Sequence, residues 1–302
     1  MRPRPFCRRA LVGLSAVGLL LGGAWAALQV PDLPRAEAEA RWAGPPSIFV
    51  EAGGARLHVR DEGPRDAPVL LLLHGFAASL HTWDPLVAAL PDRRIVRVDL
   101  PGFGLTGPTG DDGEAATARR LEALLDRLGI AEAVVVGSSL GGRKALAFAR
   151  AVPGRVRGLV LLAPPPEGMR GGGGWLASAA LRGLDPGPLL WLRLGAAYAD
   201  PAMATPEVRA RYRDLLLAPG VREAILARGR AGVPEPAVPE PPPPTLLVWG
   251  SEDRIVPSSA IAAWARLLPE ARLATLPGVG HLPMEEAPEA LAALLRAESV
   301  PR

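Results

Sequence analysis

The stretch Ala133-Val134-Val135-Val136-Gly137-Ser138-Ser139-Leu140-Gly141 runs from a β-branched apolar segment into a Gly/Ser turn, and a helical pattern over residues 140–151 follows at once. A continuous apolar run is what a strand buried on both faces requires. Gly-x-Ser-x-Gly between such a strand and a helix is a turn so tight that its neighbours have to be small, and it lifts the serine hydroxyl above the sheet. Alone, the pentapeptide would read as a turn capping a helix. Its flanks make Ser139 a candidate nucleophile.

Outward from this turn, short apolar runs alternate with helical patterns. Residues 48–51 and 56–60 read as strands joined across Gly53-Gly54 in a hairpin. Then come a buried strand at 69–73, a helix around 83–90, a strand at 95–98, a helix at 114–128 and a strand at 156–162. After residue 244 the pattern resumes with strands at 245–249 and 272–276 and helices at 258–267 and 288–297. This alternation predicts the α/β class: a mostly parallel sheet flanked by helices, with ligands gathering beyond the carboxyl ends of the strands. Residues 164–243 carry helical segments at 189–197, 206–217 and 221–230, a glycine run at 171–174 and a proline-rich exit at 234–244. A span that long without a strand signal is no ordinary loop and predicts an inserted helical cap. The division expected is an N-terminal segment over 1–46, a core over 47–163 and 244–302, and a cap over 164–243.

Composition narrows the function classes. With 302 residues, 49% hydrophobic and 22% charged, the chain has ample material for a core and is not disordered in bulk. Cys7 is the sole cysteine, so neither an internal disulfide nor a thiolate zinc cluster is available. A net charge of +3 with scattered basic residues does not point to nucleic acid.

Arg2, Arg4, Arg8 and Arg9 precede an uncharged run over residues 10–28. Nineteen helical residues would reach about 28 Å, close to the hydrocarbon thickness of a bilayer. The preferred reading is a transmembrane anchor that keeps the N-terminus cytoplasmic and places the catalytic domain outside, with the membrane as partner through this segment alone. A cleaved signal is the rival, since Ala24-Trp25-Ala26 fits a cleavage site and Arg8-Arg9 permits twin-arginine export; a buried helix is the third reading. Residues 32–41 read as a linker or a short amphipathic helix.

A serine hydroxyl needs a base within hydrogen-bond reach and a carboxylate to orient that base. His58 lies inside an alternating strand and reads as solvated or structural; His74 directly follows a buried strand and reads as structural. His81, in the next loop, is a candidate substrate contact. His281 follows the last strand in the small-residue loop Gly278-Val279-Gly280-His281 and is the candidate base. The acid falls between serine and histidine in chain order for this architecture. Asp253, in Trp249-Gly250-Ser251-Glu252-Asp253-Arg254-Ile255-Val256-Pro257, fits, with Glu252 its near rival. Backbone amides of Leu140, just after the nucleophile, and of Phe76, in His74-Gly75-Phe76, are the candidate oxyanion donors; losing one such donor typically costs about 2.7–4 kcal/mol of barrier. Trp83 and the turn Asp99-Leu100-Pro101-Gly102-Phe103-Gly104 are expected to shape the pocket wall, with Trp83 a substrate-binding candidate and Asp99 structural.

Together these motifs resemble the α/β-hydrolase superfamily, in its cap-bearing branch with esterases, meta-cleavage product hydrolases and cofactor-free haloperoxidases. The resemblance runs from about residue 47 to 298. It implies an eight-stranded, mostly parallel sheet with its second strand antiparallel, an inserted helical cap, and the catalytic order Ser139, Asp253, His281. Ser139 stands where haloalkane dehalogenases and epoxide hydrolases carry aspartate, which disfavours an alkyl-enzyme ester. Gly75-Phe76-Ala77-Ala78 lacks the further glycines expected after His-Gly in typical meta-cleavage product hydrolases. The cap residues Trp175, Leu189, Leu190, Trp191, Leu192, Tyr198 and Tyr212 suit a hydrophobic acyl or alkyl group. The resulting expectation is a serine hydrolase acting on carboxylic esters of apolar small molecules, without cofactor or metal. Carbon–carbon bond hydrolysis or perhydrolysis by the same triad is the alternative within enzymes. A non-hydrolytic small-molecule binding protein on the same fold is the alternative of another class.

Overall fold

The computed structural model describes residues 23, 28–169, 181–231 and 238–298. Its strands are β1 (Ile48–Ala52), β2 (Ala55–Glu62), β3 (Val69–Leu73), β4 (Arg94–Val98), β5 (Ala133–Ser138), β6 (Val156–Leu162), β7 (Thr245–Gly250) and β8 (Arg272–Leu276). They form one sheet in the order β1-β2-β4-β3-β5-β6-β7-β8. β2 is antiparallel to both β1 and β4, and every other pairing is parallel. The α/β-hydrolase fold implied by the motifs is the fold observed.

The centre of the sheet follows from side-chain alternation. Leu71 and Leu73 of β3 join the core cluster that contains Leu121 and Phe148. Leu70 and Leu72 join the cluster on the other side, with Leu86 and Ile95. Helices cover both faces, so a strand with no polar position is stable here. Two of the covering helices, α3 (Glu114–Arg127) and α4 (Leu140–Ala151), turn apolar stripes inward, α3 through Leu121, Leu124 and Leu125. The helix read over 83–90 is a 3₁₀ turn, Leu80–Trp83, followed by α2 (Asp84–Ala88), with Pro85 in its first turn where the missing N–H costs nothing.

Between β6 and β7 lie α5 (Gly187–Ala197), α6 (Pro206–Leu216) and α7 (Val221–Ala231), and no strand occurs there among the described residues. The segment before the core is the helical option of the two read from sequence, α1 (Arg35–Trp42). It is clamped onto these inserted helices. Asp32 accepts Gly220 N and the Arg222 guanidinium, Leu33 N donates to Leu217 O, and Asp214 accepts both Arg41 and Trp42 Nε1. Most of the 10–28 run, the 171–174 glycines and Trp175 lie outside the described residues. Among those described, no helix is long and apolar enough to cross a membrane.

The contact that seats α4 against the sheet is a backbone approach at Gly141. A Cβ there would stand 2.0 Å from Leu73 O and 2.6 Å from His74 O. Gly141→Ala is therefore expected to lower stability by at least about 1–3 kcal/mol, read as a reduced urea midpoint at unchanged m. A midpoint equal to the wild type would contradict this packing.

Candidate active site

β5 ends at Ser138, and Ser139 turns the chain into α4 with φ +50° and ψ −116°. This left-handed conformation costs a non-glycine residue about 1–3 kcal/mol and persists only where surrounding contacts impose it. Here Ser139 N donates to Leu162 O at 2.8 Å and Gly142 N to Ser139 O at 3.0 Å. Gly137 permits the turn, since a Cβ on it would meet Gly141 O at 2.4 Å. Leu140 opens α4, where the first amides have no partner within the helix and carry the positive end of its dipole.

The turn after β3 packs against the same spot. A Cβ on Gly75 would stand 3.3 Å from Ser139 Cβ, and the chain reverses through Ala77 at φ +57°. The two residues expected to supply oxyanion amides, Phe76 and Leu140, thus sit on the two elements that flank Ser139. Phe76 is 46% exposed and its ring meets Phe103 edge-on at 5.7 Å, so it offers apolar surface next to the Gly75 turn that packs on Ser139.

Asp253 and His281 come together from the ends of β7 and β8. Asp253 Oδ1 accepts Ile255 N at 2.8 Å and Val256 N at 2.9 Å, while Oδ2 lies 2.7 Å from His281 Nδ1. That pairing makes Nδ1 the protonated nitrogen and leaves Nε2 as an acceptor. The two loops are closely joined: Ser251 N donates to Leu276 O and Glu252 N to Val279 O, and a Cβ on Gly250 would stand 2.1 Å from Gly280 O. Glu252, the rival acid, is exposed. Ser139, Asp253 and His281 thus share the carboxyl edge of the parallel strands. Among the described residues no hydrogen bond joins Ser139 Oγ to His281, whose ring bonds only Asp253. Contacts of this kind are often long in the free protein and tighten on substrate binding.

The other histidines are structural. Leu100 N donates to His74 Nε2 at 2.9 Å while His74 Nδ1 donates to Gly75 O at 2.7 Å, which fixes the turn that packs on Ser139; burial holds this ring neutral by pushing its pKa down. His58 is not solvated, as its strand pattern allowed, but fully buried with Nδ1 2.7 Å from Asp99 Oδ2. Asp99 also accepts Leu80 N and Leu105 N; burial opposes its charge, yet the adjoining His58 keeps the carboxyl below its usual range.

Two expected substrate contacts are placed elsewhere. His81 is 4% exposed, with Nε2 on Trp42 O at 2.9 Å and Nδ1 on Ser79 Oγ at 3.3 Å, so neither ring nitrogen is left for a ligand. Trp83 is fully buried in the same core cluster as Leu72, Leu86 and Tyr198, because the 3₁₀ turn points it at the sheet rather than at a pocket. Of the residues expected to give the cap its apolar surface, Tyr198 and Tyr212 pack in that cluster too, whereas Trp191 and Leu192 are exposed.

Sequence reading passed over Glu285 and Glu286, whose hydrogen bonds surround the base loop; the one signal was two carboxylates four and five residues after His281, at the start of a helix. A cleft of about 370 Å³ lined by Arg65, Asp66, Arg94, Glu132 and Arg157 lies at the amino ends of β3 and β5, remote from Ser139, and its Arg94 and Arg157 are paired with Asp61 and Glu132. Among the described residues no group of His, Cys, Asp or Glu is placed to hold a metal ion.

Comparison with known proteins bears on this site. A family model described as "Alpha/beta hydrolase family" matches residues 70–294. The dihydrolipoyllysine-residue acetyltransferase component of the acetoin cleaving system of Pseudomonas putida is 32% identical, over 82% of this chain and 67% of its own. The 2-hydroxy-6-oxononadienedioate/2-hydroxy-6-oxononatrienedioate hydrolase of Paraburkholderia xenovorans (strain LB400) is 30% identical over 68% of this chain and 77% of its own. A solved structure described as a membrane phospholipase A, a novel bacterial virulence factor, superposes with a TM-score of 0.68 at 26% identity, covering 96% of this chain and 97% of that one.

Burial also pushes the His81 pKa down from 6.5 to about 4. The ring is neutral in both folded and unfolded chains above pH 6.5; below it the unfolded chain gains a proton that the folded one refuses, so stability falls as pH drops from 6.5 towards 4. His81→Gln is expected to remove on the order of 2 kcal/mol of that acid-induced loss. Urea midpoints at neutral and acid pH check it, and an equal drop in wild type and variant would contradict the assignment.

Proposed function

The chain belongs to the alpha/beta hydrolase family, and on that premise we propose that it is a serine hydrolase cleaving carboxylic esters of apolar small molecules. The observation that carries this reading is the Asp253–His281 pair at 2.7 Å, on the same sheet edge as a serine held at φ +50°. In the proposed reaction Ser139 Oγ bonds to the ester carbonyl carbon as its proton passes to His281 Nε2. Asp253 keeps the imidazole oriented and stabilises the imidazolium. The tetrahedral oxyanion takes hydrogen bonds from the Leu140 and Phe76 amides, fixed before the charge forms. Collapse breaks the bond to the alcohol oxygen, which leaves with the proton from His281. Water then attacks the acyl-serine while giving a proton to His281, and collapse breaks the bond to Ser139 Oγ, which takes that proton back from His281 as the carboxylic acid leaves.

The exposed Phe76, adjacent in the chain to the Gly75 that packs on Ser139, supports an apolar group on the substrate. The uncharged run over residues 10–28, together with the likeness to a membrane phospholipase A over 96% of the chain, supports substrate presented at a membrane and a catalytic domain outside the cytoplasm. Carbon–carbon bond hydrolysis by the same residues is the second reading, favoured by the 30% identity to the Paraburkholderia xenovorans hydrolase. The turn Gly75-Phe76-Ala77-Ala78 weighs against it.

A fluorophosphonate probe is expected to add one covalent mass to the protein, on Ser139, and none to Ser139→Ala. In a p-nitrophenyl ester series, medium-length acyl chains are expected to turn over faster than acetate. Absence of labelling would overturn the serine mechanism. Turnover of a dienone with no ester hydrolysis would replace the ester reading by the carbon–carbon one.

A further inference from the structure

Just past α5 the chain runs alongside the base loop. His281 N donates to Ala197 O at 2.7 Å. Glu286 Oε2 accepts Ala199 N at 2.7 Å and Gly280 N at 3.0 Å, and its Oε1 accepts Leu282 N at 3.1 Å. One carboxylate therefore gathers the peptide groups on both sides of His281 and one peptide group of the inserted helical region. Gly280 makes room for this, because a Cβ there would stand 2.5 Å from Ala197 O and 2.6 Å from Ala199 N.

Tyr198, between those two alanines, is held from the other side. Its hydroxyl donates to Glu285 Oε2 at 2.7 Å, and Glu285 also accepts the Arg211 guanidinium at 2.9 and 3.0 Å, the Tyr212 hydroxyl at 3.1 Å and the Thr82 hydroxyl. Burial, and then the Glu285 charge, push the Tyr212 phenol up, so it stays a donor. Residues 197–199 are thus fixed by backbone through Glu286 and by side chain through Glu285. The base loop has little of its own to hold a ring, being Gly278-Val279-Gly280 before His281. A catalytic base has to be held to a fraction of an ångström, and hydrogen bonds to an ionised carboxylate are the stronger kind.

We propose that Glu286 is a positioning residue for His281: it splints the base loop to residues 197–199, so the inserted helices help aim the imidazole at Ser139. This rests on the serine-hydrolase reading. A displacement of the α5 tail carries the His281 backbone with it, which makes the cap part of the alignment and not only a cover.

Three variants test it. Glu286→Ala removes all three bonds of the carboxylate and leaves only the backbone bond from His281 N to Ala197 O. Glu286→Gln keeps the side-chain size with one carbonyl acceptor. Ala199→Pro deletes the cap's N–H and sets the ring Cδ against Glu286 Oε2, so it breaks the splint from the cap side; Tyr198 already has the ψ of 146° that suits a residue before proline. Each is assayed with the best p-nitrophenyl ester of the wild type, and the proton shared by His281 Nδ1 and Asp253 is followed as a downfield ¹H resonance. Expected are kcat losses of roughly tenfold in Glu286→Gln and Ala199→Pro and of about a hundredfold in Glu286→Ala, with KM within about twofold and the resonance displaced or broadened. Folded Glu286→Gln and Ala199→Pro proteins with wild-type kcat and an unchanged resonance would overturn the proposal, and these two decide if Glu286→Ala fails to fold. A wild type that neither labels nor hydrolyses esters would sink the hydrolase reading instead, and the resonance in Ala199→Pro would still decide whether the splint holds the pair.

Discussion

The approach of Gly141 to the end of β3 is the constraint on which the rest depends. With no side chain at 141 the first turn of α4 can press onto Leu73 O and His74 O. β3 and β5 pair in parallel with Leu73 opposite Gly137, so the same approach fixes how sharply β5 must turn. That turn is what holds Ser139 at φ +50° and brings it against Gly75. Ser139, the first helix amide and the strand-turn amide are therefore one packed unit, rigid because backbone meets backbone with no rotamer to relax.

A second unit stands across β6. The loops after β7 and β8 are joined by backbone hydrogen bonds and by the contact of Gly250 with Gly280, and they present Asp253 and His281 as a pair. β6 ties the two units together. Leu162 accepts Ser139 N, while Ala163 N donates to Val248 O and Pro164 O accepts Trp264 Nε1. Chemistry needs the two units to agree to within a hydrogen-bond length. The inserted helices reach the base side of that gap, which is where Glu285 and Glu286 act.

Much of this was legible in the sequence where the signal is local. Strands at 69–73, 156–162 and 272–276 and the helix at 140–151 match their observed bounds; Val69–Leu73 is an uninterrupted apolar run and a Gly/Ser turn opens the helix, while the other two strands are marked by apolar residues at their carboxyl ends. β5 and β7 extend one or two residues further, to Ser138 and Gly250, since small residues continue a ladder without any propensity signal. Three distant motifs led to Ser139, Asp253 and His281, each at the end of a strand. The failures share a cause. His81 looked like a pocket residue from its place in a loop and Trp83 from its place at the start of a helix after that loop, but Trp42 caps the His81 ring and Tyr198 packs in the cluster that buries Trp83, both far away in the chain. Likewise, nothing near Glu286 in sequence announces that its partners are Ala199 and Gly280.

The claim at the centre is that Ser139 and His281 act as a single device. A cycle of Ser139→Ala, His281→Ala and the double variant, read as kcat/KM on one ester, tests it most directly. Residues that work as a unit lose nearly everything with the first removal, so the double variant should be about as slow as either single one. If instead the two losses multiply, the residues act independently and the account fails.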